Sequence, residues 1–200
     1  RIVILLKNYM IHPHTELRFI NEEIGHGVVA TKFIPAGTIT WVLDKLDREF
    51  TPKQFQEFDP LYQNTFETYC YRNSKGNYVL CWDHGKFVNH SFKSNCLSTA
   101  YDFEIAIRDI EPGEQLTDDY GYLNVDSPFK ASEEGTKRKT VYPDDLKKNH
   151  RTWDKKIAAV FPKINSLEQP LGALLSASTK KTIANVITGK EELSSILNIY

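Results

Sequence analysis

Apolar and polar residues alternate in short runs through the first half of the chain, then shift to a helical rhythm toward its end. Alternating or β-branched runs fall at residues 17–20, 28–31, 38–42, 69–72, 78–81, 96–100 and 104–110, with turn residues between them. Seven short strands predict a mostly β body. Asn73, Ser74, Gly76 and Asn77 supply hairpin chemistry between the fourth and fifth runs. IPAGT and IEPGEQL each set Pro before Gly, which fixes one φ and frees the next. Thr51-Pro52-Lys53-Gln54 reads as a capping box with Pro at the first helical position, so a short helix interrupts the strands, with Phe55 and Phe58 on one face. From about residue 144, Leu146, Trp153, Ile157, Val160 and Phe161 fall on one helical stripe. Leu167, Leu171, Leu174 and Leu175 predict a second helix, and residues 179–188 and 191–200, parted by Gly189, a helical hairpin. The apolar ending Ile196-Leu197-Asn198-Ile199-Tyr200 calls for a covering partner, and a further helical domain is expected beyond it.

Composition narrows the class. The chain has 200 residues, 40% of them hydrophobic, enough for one good core and a small appendage. The opening RIVILLKNYM reads as a strand and is too short for a secretory signal; no apolar run reaches the roughly 18–20 residues that span a bilayer. The chain begins on Arg rather than Met, so a piece of something longer is expected. Cys70, Cys81 and Cys96 form neither a disulfide framework nor a zinc pattern, and no metal site is expected. The net charge of −1 hides an asymmetry: residues 1–125 hold 12 Lys or Arg against 17 Asp or Glu, and residues 126–163 hold 10 against 6. An acidic body argues against a nucleic-acid partner and suits a basic protein or peptide.

Three motifs carry chemistry. Gly25-His26-Gly27 puts two glycines at the mouth of a strand, where backbone can approach a ligand, although taken alone it is better explained by an ordinary turn. A dinucleotide-binding reading fails, because no third glycine and no helix follow. Asn89-His90-Ser91 with Asn95 comes next, and then Gly113-Glu114-Gln115-Leu116-Thr117-Asp118-Asp119-Tyr120-Gly121-Tyr122. In this order and spacing the three resemble the SET domain of protein-lysine methyltransferases, over roughly residues 15–125. The resemblance implies a β-clip of small curved sheets with a threaded loop, here followed by a C-terminal α-helical extension. It divides the chain into a SET domain over 1–125, a basic linker and amphipathic helix over 126–163 closing the cofactor side, and a helical extension over 164–200.

The same resemblance implies S-adenosylmethionine as methyl donor and a lysine as acceptor, meeting in a narrow channel. Gly25, His26, Gly27, Asn89, His90 and Tyr120 are then the expected cofactor contacts, with Phe87 and Phe129 as aromatic walls. Tyr120 is the expected catalytic residue, orienting the amine. Tyr69, Asp118 and Tyr122 are candidate channel walls. Asn95 is expected to hold the loop's backbone and Phe92 to be buried packing. Asp118 departs from the family, which often has Phe or Tyr two residues before the Tyr, so the methylation state is left open. A lysine of pKa about 10.4 must lose its proton, costing roughly 4–5 kcal/mol at pH 7; burial beside a sulfonium offsets part of this. Residues 44–67, with six acids against three bases, occupy the family's variable insert and are expected to face peptide. The flanking zinc clusters of many histone-directed members are missing, which resembles stand-alone bacterial SET proteins, some of which act as effectors on host chromatin. A histone tail, H3 first, is the expected partner, with nucleus or chromatin as the place of action and Lys137-Arg138-Lys139 as a candidate address. The alternatives are a non-histone substrate in the cytoplasm and a catalytically silent SET fold that serves as a scaffold.

Overall fold

The computed structural model describes residues 11–131, 133 and 135–199. The strand expected over residues 1–10 lies outside them. The strands are β1 (Thr15–Asn21), β2 (Gly25–Ala30), β3 (Ile39–Val42), β4 (Arg48–Phe50), β5 (Cys70–Arg72), β6 (Tyr78–Leu80), β7 (Asn89–His90), β8 (Cys96–Ser98), β9 (Phe103–Ala106), β10 (Thr117–Asp118), β11 (Phe129–Lys130) and β12 (Thr140–Val141). The helices are α1 (Pro52–Glu57), α2 (Pro60–Tyr69), α3 (Asp145–Val160) and α4 (Ala177–Ile187). The strands form small sheets of two or three: β1-β2, β3-β9-β8, β4-β6-β5, β10-β7 and β11-β12.

The central β3-β9-β8 sheet is covered on both faces. Ile39, Leu97 and Ile105 pack toward Trp153, Ile157, Val160 and Phe161 of the helical region, while Trp41, Cys96 and Ala106 face a second core with Val28, Ile34 and Leu116. Each large side chain buried in this way is worth roughly 1.5–3 kcal/mol. Polar residues of β3 and β9 are buried along with them, Thr40 and Glu104 among these.

Between β4 and β6, the insert builds an aromatic core of its own. Phe66 lies 4.8 Å from Phe50, ring to ring, and Phe55 stacks on Tyr78 at 4.4 Å. The capping box at Thr51 forms, with Thr51 N–H donating to Gln54 Oε1 and Gln54 N–H to Thr51 Oγ1. α2 was not visible in the periodicity, because its apolar positions serve this local cluster.

α3 follows the predicted stripe, with Trp153, Ile157 and Val160 buried. The second predicted helix, over 167–175, is a series of turns instead. Pro170 and Gly172 break it, and the Gln169 side chain is committed elsewhere: Oε1 accepts from Ile39 N–H at 2.8 Å and Nε2 donates to Gly37 O at 3.0 Å. The helical hairpin is also only half present. α4 forms, but residues 191–195 are irregular and a single 3-10 turn follows at Ile196–Asn198. Asp154 on α3 captures that turn through Ser195 Oγ and Ile196 N–H, each at 2.7 Å. Ile196 and Ile199 are buried within the described chain, so the expected covering partner is not needed for them.

Candidate active site

The three motifs meet through side-chain amides. β7 and β10 pair in parallel, Thr117 opposite Asn89 and Asp118 opposite His90. Asn95 locks the register: Nδ2 donates to Gln115 O at 2.7 Å and Oδ1 accepts from Thr117 N–H at 2.8 Å. Asn89 Nδ2 donates to His26 O and to Gln115 Oε1, both at 3.1 Å. Gly27 is required for this junction, since a Cβ there would stand 2.5 Å from Gln115 Oε1 and 2.8 Å from Asn89 Nδ2. Its missing side chain makes room for these protein groups. Gly25 is a turn residue with φ +76°.

Asp119 caps the short 3-10 turn Tyr120–Tyr122 by accepting from Gly121 N–H. The turn aims Tyr120 into a cavity of about 540 Å³ lined by Tyr69, Val88, Ser98, Glu104, Asp118 and Phe129, among others. Tyr120 Oη donates to Val88 O at 2.7 Å. Burial first, then the nearby Asp118 and Glu104 carboxyls, push its phenol above the ordinary tyrosine range. It therefore stays protonated and acts as a positioned hydroxyl, not as a base.

Glu104 and Asp118 share the buried wall of this cavity. Thr40 Oγ1 donates to Glu104 Oε1 at 2.6 Å, and Glu104 is hydrogen-bonded to Asp118. Burial raises both carboxyls above their usual range, and for Asp118 the charge of Glu104 adds to it. Two carboxyls so placed cannot both ionise freely and titrate as a pair. Tyr122 is not a channel wall as expected. It is a core side chain with no exposed surface, its ring meets Trp153 edge-on, and its hydroxyl donates to Asp118 Oδ1. Glu104 and Ser98 were missed because strand alternation assigned the residues beside them to the core; burial on both faces of the sheet has no signature in one strand's pattern.

The remaining expected cofactor residues form a second group. His26 packs edge-on against Phe19 and Phe87, all three outside the cavity lining, and Phe87 meets Tyr69 of that lining at 5.4 Å. His90 belongs with the first group, its ring meeting Tyr120 at 5.4 Å and Phe129 at 5.7 Å. His90 Nδ1 accepts from Tyr120 N–H at 3.1 Å, which places the neutral ring's proton on Nε2. Burial lowers its pKa, so the ring stays neutral. Nε2 is buried and has no hydrogen-bond partner among the described residues. No described residue donates to Asn89 Oδ1 either.

The basic segment closes over this loop. Arg138 pairs with Asp119 and, at 2.7 Å, with Asp145, and its guanidinium lies 4.5 Å from the Phe92 ring. Phe92 is thus half-buried beneath a cation, where full burial was expected. Trp153 Nε1 donates to Asp119 Oδ2 at 3.2 Å. Arg138 is therefore an internal clamp and not part of a free basic address. Among the described residues no group of His, Cys, Asp and Glu could hold a metal ion, and no helix is long and apolar enough to cross a membrane.

A search of curated proteins finds no match to the chain. Residues 25–121 match the family model described as the SET domain. That span opens on Gly25, encloses Asn89, His90 and Asn95, and ends one residue beyond Tyr120. Residues 25–121 are therefore, by the motifs joined around Tyr120 and by this match, a SET domain, and SET domains are in general those of S-adenosylmethionine-dependent protein-lysine methyltransferases.

Proposed function

We propose that this chain is an S-adenosylmethionine-dependent protein-lysine N-methyltransferase acting on a basic protein segment, with a histone H3 tail as first candidate. The observation that carries the reading is Tyr120, a protonated hydroxyl anchored on Val88 O at the wall of an aromatic-lined cavity. Such a group orients an incoming amine without consuming its lone pair, and alignment is the main demand of an in-line transfer.

The residues present fit the cofactor. Among the described residues, His90 Nε2–H has no acceptor and the side-chain bonds of Asn89 are all made by Nδ2, leaving Oδ1 to accept. The adenine and amino-acid ends of S-adenosylmethionine carry both kinds of group, so His90, Asn89 and the ring of Phe129 would hold it. When bound, it supplies a methyl group on a sulfonium centre. Tyr69, Tyr120 and Phe129 line the walls past which a lysine stem would enter and lose its water. The insert offers less acidic surface than its composition implies. Asp44 and Asp47 bind Trp82, Glu49 binds Asn73 and Asn77, and Asp59 caps α2, while Glu67 lines the cavity. Glu67 is thus the insert's candidate contact to a basic tail.

Chromatin, of a host cell if the protein is exported, is the place of action this substrate would require. The test is incubation with isotopically labelled S-adenosylmethionine and separate pools of histone H3, histone H4 and ribosomal proteins, beside Tyr120→Phe. Label on H3 lysines that is lost in Tyr120→Phe supports the reading. Absence of cofactor binding by calorimetry overturns it.

A further inference from the structure

The Glu104–Asp118 pair has no role in the mechanism above, and its placement is costly. Both side chains are at least nine-tenths buried, both line the cavity that holds Tyr120, and they sit on neighbouring segments, β9 and β10. Neither has a cationic partner among the described residues. Arg72 and Lys86, the cations on the cavity wall, are engaged elsewhere: Arg72 with Asp126, and Lys86 with the carbonyls of Trp82 and Asp83. The groups that donate to the pair are neutral, Thr40 Oγ1 from β3, the Cys96 thiol from β8, Asp119 N–H and Tyr122 Oη, and the carboxyls that act on it, Asp83 on Glu104 and Asp119 on Asp118, carry the same sign of charge. Burial raises the Cys96 thiol well above its ordinary range, so it adds no charge. A buried negative charge with no counter-ion, opening onto a cavity, is complementary to a cation that arrives from outside.

We infer that Glu104 and Asp118 form the seat for the substrate's ammonium group and accept its proton. This inference rests on the lysine-methyltransferase reading and names the group that prepares the acceptor. In the step, one N–H bond of the ammonium breaks and its electron pair stays on nitrogen as the lone pair. The proton forms an O–H bond on the ionised carboxylate of the pair, which becomes doubly neutral and returns the proton to water when product leaves. A carboxyl whose proton affinity lies far above that of a solvated glutamate is a far better acceptor for this step than an ordinary one. Tyr120 stays protonated throughout and keeps its orienting role.

The experiment uses n-butylammonium as a probe of the lysine terminus and 1-pentanol as its neutral analogue. Both are titrated into the protein by NMR between pH 5.5 and 8.5 in the wild type, Glu104→Gln and Asp118→Asn, with binding of S-adenosylhomocysteine measured in parallel. Both substitutions preserve shape and can keep the bonds from Thr40 and Tyr122. The expected result is n-butylammonium binding that tightens at least tenfold from pH 5.5 to 8.5 in the wild type. In either variant it weakens at least tenfold at pH 8.5 and loses its pH dependence, with 1-pentanol binding unchanged. Equal n-butylammonium binding in wild type and variants, or none to the wild type, overturns the inference. Because S-adenosylhomocysteine is read separately, those failures leave the methyltransferase reading standing, whereas loss of cofactor binding by the wild type itself sinks that reading.

Discussion

At the scale of single residues the molecule turns on polar side chains that hold backbone. Tyr120→Phe removes the hydroxyl anchored on Val88 O without disturbing the turn that carries it, so kcat should fall about 100-fold while cofactor affinity holds. Steady-state rates and calorimetry on one preparation check the split. Asn95→Ala strands Gln115 O and Thr117 N–H, and the expected loss is roughly 2–4 kcal/mol, read by urea unfolding. Both residues were legible in the sequence because they lie in motifs with fixed spacing. Glu104 was not: Phe103-Glu104-Ile105-Ala106 looks like a strand with one wet position, yet all four are buried. Tyr122 misled for a related reason, since an aromatic two residues from Tyr120 is as well suited to core as to channel.

Among the elements, the helical segment matters most for what it clamps. Among the described residues Arg138 is the one cation bonded to both Asp119, which caps the Tyr120 turn, and Asp145 at the start of α3. Arg138→Ala leaves two buried carboxylates unpaired and should cost about 3–5 kcal/mol. Arg138→Lys keeps the charge but cannot fork to both partners, and should fall between; thermal melts of the three proteins order them. In the insert, Thr51→Ala removes one half of the capping box, and a loss of about 1 kcal/mol confined to that subdomain is expected by hydrogen exchange around α1. Strand positions, the α1 cap and the α3 stripe were readable because each is a local property of period or capping. The two-residue strands β7, β10, β11 and β12 carry no period, and the failed helices near the end gave way to tertiary bonds from Gln169 and Asp154.

For the whole molecule, buried ionisable groups set a pH profile of stability. Burial holds His12 down at about 4, so the unfolded chain binds its proton more readily between 4 and 6.5 and stability rises with pH across that window. Asp47, which burial raises to about 6, and the Glu104–Asp118 pair have the opposite sign, because the folded state holds their protons longer. Their contribution is complete below the ordinary carboxylate range and is lost as pH climbs through the raised values. Above about pH 6.5 only the falling terms remain, so melting temperature should decline from pH 6.5 to 8.5, and Glu104→Gln should flatten the decline; an unchanged slope in that variant would contradict the assignment. Gln169 carries a different consequence, one of timing. It completes the edge of β3 from 130 residues further along the chain, so at a synthesis rate of roughly 5–20 residues per second the ribosome makes β3 some 6 to 26 seconds before its partner exists. During that interval the nascent sheet presents an open edge, and the protein's dependence on holding chaperones should be concentrated there.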